Sequence, residues 1–386
     1  MRRIALVKLA VGIMALLTLT GCWDLKTIQD TNYMTAIGFD YKDGKYIVYG
    51  QMLDFASVAK QEGGQSGQPP MIWVGKEEGA TVSDAFNRLY RTSQQRVFWG
   101  HVGAYLFSKS ALDQGIGKFT DGSVRYSETR FTQWVYSTDE SIEAIFSVIP
   151  FFNVSPINSI LMQPVENFRQ HSFIPPHRLF WVASKLREPG FTVMLPTLDI
   201  DNKVWAKNEK QDSKLRVNGA YSLNSQHQLE WLSEKQFIGA RWLNKYTSRT
   251  PIVVFREGRA VQTVNSKPKS HIKVRVQGGQ AIFDVEVKAP VGIAEIFEEV
   301  GESELEQLVS KQIKEEIEQT FKLGKSRSID VYSLEHILYR DEFKEWARLT
   351  NYGEKPLTNY ELGNITVKAA VLHSGMLKMK EKTPQY

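Results

Sequence analysis

Cys22 is the sole cysteine among 386 residues, so no internal disulfide can staple this chain and a large apolar core must hold it together. Its surroundings are equally specific. Arg2, Arg3 and Lys8 flank or precede the apolar run 9–19, and Thr20-Gly21 places small residues just ahead of Cys22. This is the layout of a bacterial lipoprotein signal: cleavage leaves Cys22 first, and its sulfur receives a diacylglycerol. A membrane span is the poorer reading, because the eleven residues 9–19 rise only about 16 Å as a helix, against a hydrocarbon core of about 30 Å. Residues 1–21 are thus expected to be a signal peptide and Cys22 the site of lipidation. Two or more acyl chains anchor stably where one is marginal, at about 0.8 kcal/mol per buried methylene.

Loss of residues 1–21 would remove three of the 48 Lys and Arg and none of the 43 Asp and Glu, lowering the formal charge from +5 to +2. The basic character is largely that of the leader. A nucleic-acid partner is therefore not expected, since such affinity rests on clustered Lys and Arg. A chain that is 42% hydrophobic and 11% aromatic is globular rather than disordered, and its length suits two or three domains.

Strands over 34–39 and 46–55 bracket the hairpin signal Asp43-Gly44, and residues 81–94 carry apolar side chains at helical spacing. Strands follow at 96–99, 102–107 and 132–137, the last running into a helix capped by Ser137 and Glu140. Pro175-Pro176 opens a helix that ends before Pro189-Gly190. The charged stretch 202–214 reads as a connection between an N-terminal α+β domain, 22–210, and a C-terminal one, 211–386. Beyond it come a strand at 215–223, a Ser233/Gln236-capped helix reaching 244, and strands at 252–256, 259–264, 271–277 and 280–288, with Gly278-Gly279 as a turn. Ser303 and Glu306 open an amphipathic helix, with Leu305, Leu308, Val309, Ile313, Ile317 and Phe321 as its stripe and Gly324 as its stop. A helix at 334–348 and an alternating strand at 364–373 complete the chain. Without a regular βαβ rhythm, the fold class is α+β with mixed and antiparallel sheets rather than a doubly wound sheet.

Fragments that imitate catalytic motifs each lack a residue the chemistry needs. Gly324-Lys325-Ser326 has Gln319 where a phosphate loop needs glycine, and Gly115-Ile116-Gly117 meets Thr120 where a dinucleotide fingerprint needs a third. Asp199 and Asp201 begin like a calcium loop but are followed by Lys203. His171 and His177 lack further zinc ligands nearby. No nucleophile elbow or zinc-protease pair occurs, and acylation would remove Cys22 as a nucleophile. No enzyme activity, cofactor or metal is expected.

Gly21-Cys22-Trp23-Asp24, Arg96-Val97-Phe98-Trp99-Gly100-His101, Arg125-Tyr126-Ser127-Glu128-Thr129-Arg130, Val217-Asn218-Gly219-Ala220-Tyr221, Gly239-Ala240-Arg241-Trp242-Leu243, Ile329-Asp330-Val331 and Trp346 follow one another in an order that resembles the Ger(x)C family. These are the lipoprotein C subunits of GerA-type spore germinant receptors. The resemblance implies an α+β fold of about three domains, so a further division within the boundaries above, and no established catalysis. It also implies a lipid-anchored position on the outer face of the spore inner membrane, receptor A and B subunits as partners, and clustering with the GerD lipoprotein. Bottom-up, His101, Arg125, Glu128 and Arg130 read as a structural ion-paired cluster. The rival function is a solute-binding lipoprotein of an importer; a cell-wall hydrolase would need convergent carboxylates or a metal.

Overall fold

The computed structural model describes residues 4, 8, 31–53, 70–125, 128–224, 229–296 and 300–373. Two sheets dominate, each with its own helices, and the class is α+β. The first begins with the hairpin β1 (Thr31–Lys42) and β2 (Lys45–Leu53), extended by β3 (Ile72–Gly79). Helix α1 (Val82–Leu89) follows, capped by the Thr81 hydroxyl, which accepts from Asp84 N–H. Then come β4 (Arg96–Phe98), β5 (Ala104–Ser108), α2 (Lys109–Gln114), α3 (Ile116–Val124) and β6 (Trp134–Thr138).

Strands β5 and β6 run parallel to β1, in register Ala36 with Ala104 and Ala104 with Trp134. Both faces of this centre are covered, so successive side chains are all buried rather than alternating in and out. Phe39, Tyr105, Phe107 and Val135 pack one face under Phe86 and Phe119 of α1 and α3. Ala36, Leu106 and Tyr136 pack the other under α4 (Ile142–Ser147), through Ile142, Ile145 and Phe146.

The rest of this half comprises α5 (Val165–Gln170), β7 (His177–Arg178), α6 (Leu179–Lys185), β8 (Val193–Asp201), a two-stranded ribbon of β9 (Ala206–Lys207) and β10 (Lys210–Gln211), then β11 (Lys214–Leu223) and β12 (Glu230–Ser233). Among the described residues the sheet order is β12-β11-β8-β6-β5-β1-β2-β3, with β4 beside β1 and β7 beside β6. Because β11 pairs antiparallel with β8 over nine residue pairs from Lys214 with Asp201 to Leu223 with Val193, the expected boundary at 210 falls inside this sheet. The charged composition of 202–214 marks the solvated tip of a long hairpin, which in sequence looks like a linker.

The second sheet comprises β13 (Arg249–Arg256), β14 (Arg259–Ser266), β15 (Lys269–Gln277), β16 (Gln280–Ile296) and β17 (Tyr360–His373). Gly278 and Gly279, at φ of 59° and 80°, make the tight turn between β15 and β16 that side chains resist. One edge of β16 carries β17 in parallel, so β15 and β14 share the other edge in succession. Residues Val285, Val287, Ala289 and Val291 of β16 point to helix α8 (Glu302–Ser326), which meets them with Leu305, Val309, Ile313 and Ile317. Each of these valine, leucine and isoleucine side chains is worth about 2 kcal/mol on burial. Helices α9 (Leu334–Asp341) and α10 (Phe343–Thr350) pack Leu334, Leu338 and Trp346 against Phe283 and Tyr360.

Several expected helix starts move. Ser137 lies within β6, bonded to Thr197, and Ser141 caps α4 instead. Helix α6 starts at Leu179 because residues 177–178 pair with β6 as β7. Ser233 and Gln236 do bond reciprocally, yet regular helix is confined to α7 (Ala240–Leu243). Helix α8 begins after extended Gly301, so Ser303 lies already inside its first turn and Glu306 accepts from Val371 N–H. It ends two residues beyond Gly324, whose carbonyl accepts from Ile329 N–H at 2.8 Å.

Candidate functional site

Cys22 lies outside the described residues. The first described strand, β1, begins nine residues later at Thr31. There β4 lies parallel to β1, pairing Thr31 with Arg96 and Tyr33 with Phe98. Trp99 is buried edge-on to Phe86 at 4.8 Å, and its Nε1 donates to the Tyr90 hydroxyl at 2.9 Å. An aromatic plug of this kind fixes the strand end by both its area and its N–H. His101 stands at the surface, edge-on to Tyr33 at 5.1 Å and Phe98 at 5.6 Å.

The four residues expected as one ionic cluster are distributed differently. Glu128 pairs with Arg96 and accepts from Trp99 N–H at 3.3 Å. Arg125 turns to Asp121, one helical turn back, at 2.9 Å on an exposed face. Arg130 is exposed. The arginine that sequence reading missed is Arg96, and the local i,i+4 partner took Arg125 from the cluster. These surface pairs contribute little stability, so Glu128 matters here mainly by holding the β4 loop.

A buried ionic site does exist, at Arg241 and Glu316. Helix α7 carries Arg241, whose Nη2 donates to both carboxylate oxygens of Glu316 on α8 at 3.0 and 2.8 Å. Their side chains are only 2% and 6% exposed. Nη1 donates to the Thr250 hydroxyl and Pro251 carbonyl of β13, Trp242 Nε1 donates to Glu316 at 2.6 Å, and Phe173 lies 4.5 Å from the guanidinium. Burial lowers the pKa of Arg241, opposed by the charge of Glu316. Gly239 makes the approach possible: a Cβ there would stand 2.3 Å from the Glu316 carbonyl oxygen. The segment 239–243 is therefore a clasp that joins the second sheet to its helix and to Phe173 of the first half.

Other resembling segments also serve junctions. Gly219 follows a register shift in β11, where a side chain would meet Trp231 at 2.6 Å, and Tyr221 donates to Asp139 at 2.6 Å. Asp330 accepts from Glu335 N–H at the start of α9, and Trp346 donates to Glu335 at 3.3 Å. Between the halves, Ser333 and Thr192 exchange two hydrogen bonds and His336 meets the Pro189 carbonyl.

Two cavities, of about 540 and 480 Å³, flank these junctions. In the first, Arg216 bridges Asp199 at 2.7 Å and Asp201 at 2.9 Å, occupying the carboxylates that began like a calcium loop, and Lys214 pairs with Asp212. In the second, Glu335 accepts from Trp346 and Leu357, and Lys325 donates to the Tyr360 carbonyl. His171 bonds to Glu234 at 3.1 Å, while His177 is buried flat against Trp181 at 4.0 Å. Among the described residues no group of three His, Cys, Asp or Glu is placed to hold a metal ion.

Fold and junctions define an α+β protein of two sheets in which the distinctive sequence segments fasten elements to one another. Residues 24–200 match the family described as spore germination protein N-terminal domain, and residues 218–375 the spore germination B3/GerAC-like C-terminal domain. Spore germination protein KC of Bacillus subtilis (strain 168) is 23% identical over 370 residues, covering 89% of each chain. Spore germination protein A3 of the same organism is 28% identical over 137 residues, 34% of this chain and 35% of its own. A crystal structure of the GerBC protein shares the fold at a TM-score of 0.52 and 13% identity, over 90% of this chain and all of that one. The chain belongs to the Ger(x)C family of spore germination proteins, the C-subunit type of germinant receptor.

Proposed function

We propose that this chain is a noncatalytic lipoprotein subunit of a nutrient germinant receptor, anchored through acylated Cys22 to the outer face of the spore inner membrane and required for nutrient-triggered germination. The observation that carries this reading is the lipoprotein signal ending at Cys22, in front of two domains that both match spore germination families. Anchoring raises the effective concentration of the body beside membrane-embedded A and B subunits, so modest contact surfaces suffice for assembly. Clustering with the GerD lipoprotein belongs to the same reading. An importer's solute-binding lipoprotein normally closes two α/β lobes around a ligand; the second sheet here, largely antiparallel with α8, α9 and α10 packed on it, is a different construction.

Cys22→Ala in the native chain tests the proposal. The variant should fold, yet dormant spores carrying it at normal levels should fail to germinate with nutrients. Normal germination at normal receptor levels would contradict it.

A further inference from the structure

Phe131, Phe180 and Phe343 are 50%, 54% and 51% exposed, and Tyr339 links the last to the first two. Phe180 N–H donates to the Phe131 carbonyl at 3.0 Å. Both rings line one shallow depression with Tyr339, and the Tyr339 ring meets Phe343 at 5.9 Å. The stripe thus crosses from the first half of the molecule onto α9 and α10. Within three residues of its phenylalanines stand Arg130, Arg178, Arg340 and Lys344 with Glu128, Asp341, Glu342 and Glu345, and Arg187 and Glu188 line the depression, so its rim offers cations interspersed with carboxylates.

The topology says where this stripe lies. Strands β1, β5 and β6 are parallel, so their starts share one end of the sheet. Phe131 stands three residues before β6, and Glu128 beside it reaches Arg96, which pairs with Thr31 at the start of β1. The nine residues from Cys22 to Thr31 span at most about 30 Å. The stripe therefore lies on the pole where the tether attaches. Another exposed aromatic group among the described residues, Phe151, Phe152 and Trp205, follows the far ends of β6 and β8 and faces the opposite pole.

Resting on the anchoring proposed above, we infer that the stripe Phe131–Phe180–Tyr339–Phe343 docks directly on the anionic bilayer that holds the tether, inserting its rings at the headgroup level and orienting the whole body. Aromatic rings suit that depth, and the flanking arginines and Lys344 meet anionic headgroups. Because the tether supplies proximity, the stripe needs only weak intrinsic affinity.

The lone cysteine provides the test. The chain starting at Cys22 is coupled through its thiol to maleimide lipid in vesicles of phosphatidylcholine with phosphatidylglycerol, and its hydrogen exchange is compared with that of the thiol-blocked soluble chain. Segments 129–134, 179–188 and 339–344 should exchange about tenfold more slowly on vesicles. The triple variant Phe131→Ser, Phe180→Ser, Phe343→Ser, checked to unfold at an unchanged urea midpoint, should stay coupled and lose that protection. Unchanged exchange, protection that survives the triple variant, or protection centred on 151–154 and 204–205 would each overturn the inference. So would a triple variant that stops germination although the native chain shows no vesicle footprint, which would assign the stripe to a protein partner. Chemical coupling separates this result from natural acylation, whose failure would appear as a bare Cys22 thiol in the native protein.

Discussion

Arg241 and Glu316 show what a buried pair does at the scale of single residues. Each charge is desolvated, and the pair is tolerated because Thr250, Pro251 and Trp242 add hydrogen bonds to it, although the buried Nε of Arg241 has no partner among the described residues. Glu316→Gln should destabilise by about 3 kcal/mol or more, since the guanidinium would remain buried without its counter-charge. Arg241→Met together with Glu316→Leu should cost much less than the two single changes summed. Urea unfolding of the four proteins checks this, and additive losses would contradict it.

His177 makes the pH dependence testable. Burial against Trp181 pulls its imidazole down to about 3 from the ordinary value of 6.5, with a backbone hydrogen bond to Met194 opposing. The folded chain holds it neutral while the unfolded chain protonates it, so its contribution is complete above about pH 6.5 and is lost as pH falls towards 3. Asp330 works in the opposite sense: burial raises its carboxyl to about 6, so its contribution is present near pH 4 and fades as pH rises through 6. His177→Gln should therefore flatten the loss of stability between pH 6.5 and 4, read as urea midpoints; an unchanged slope would remove His177 from the account.

At the scale of elements, legibility followed how local the determinant was. Asp43-Gly44 and Gly278-Gly279 set their turns within two residues, and both hairpins could be read directly. The stripe of α8 was equally plain because Leu305, Val309, Ile313 and Ile317 recur at one helical face. Ile313 lies at 0% exposure on that face, and Ile313→Ala should cost about 2–5 kcal/mol by calorimetry or urea unfolding; a loss under about 1 kcal/mol would mean the helix is not seated as described. Caps were less legible. Ser137 and Ser303 have the right spacing to glutamate, but strand pairing claims the first and extended Gly301 places the helix start ahead of the second. The parallel pairing of β17 with β16 was beyond reading, because nothing within either strand names a partner some eighty residues away. The clasp was visible only as a segment of family resemblance: the gap that requires Gly239 is made by α8, far along the chain.

For the whole molecule, the sheet continues through β11 and β12, and the junction between halves is built from Ile174, Met194, Ala220, Phe237 and Val331 together with the clasp. The candidate site was legible in part. The lipidation proposed for Cys22 rests on contiguous residues alone, whereas the split of Glu128 to Arg96 and Arg125 to Asp121 depends on how β4 and α3 are set in space. Intact-mass spectrometry of the chain extracted from dormant-spore membranes tests the central claim most directly. A species beginning at Cys22 with the added mass of a diacylglyceryl group is the expected result; a native chain bearing an unmodified Cys22 thiol would contradict it.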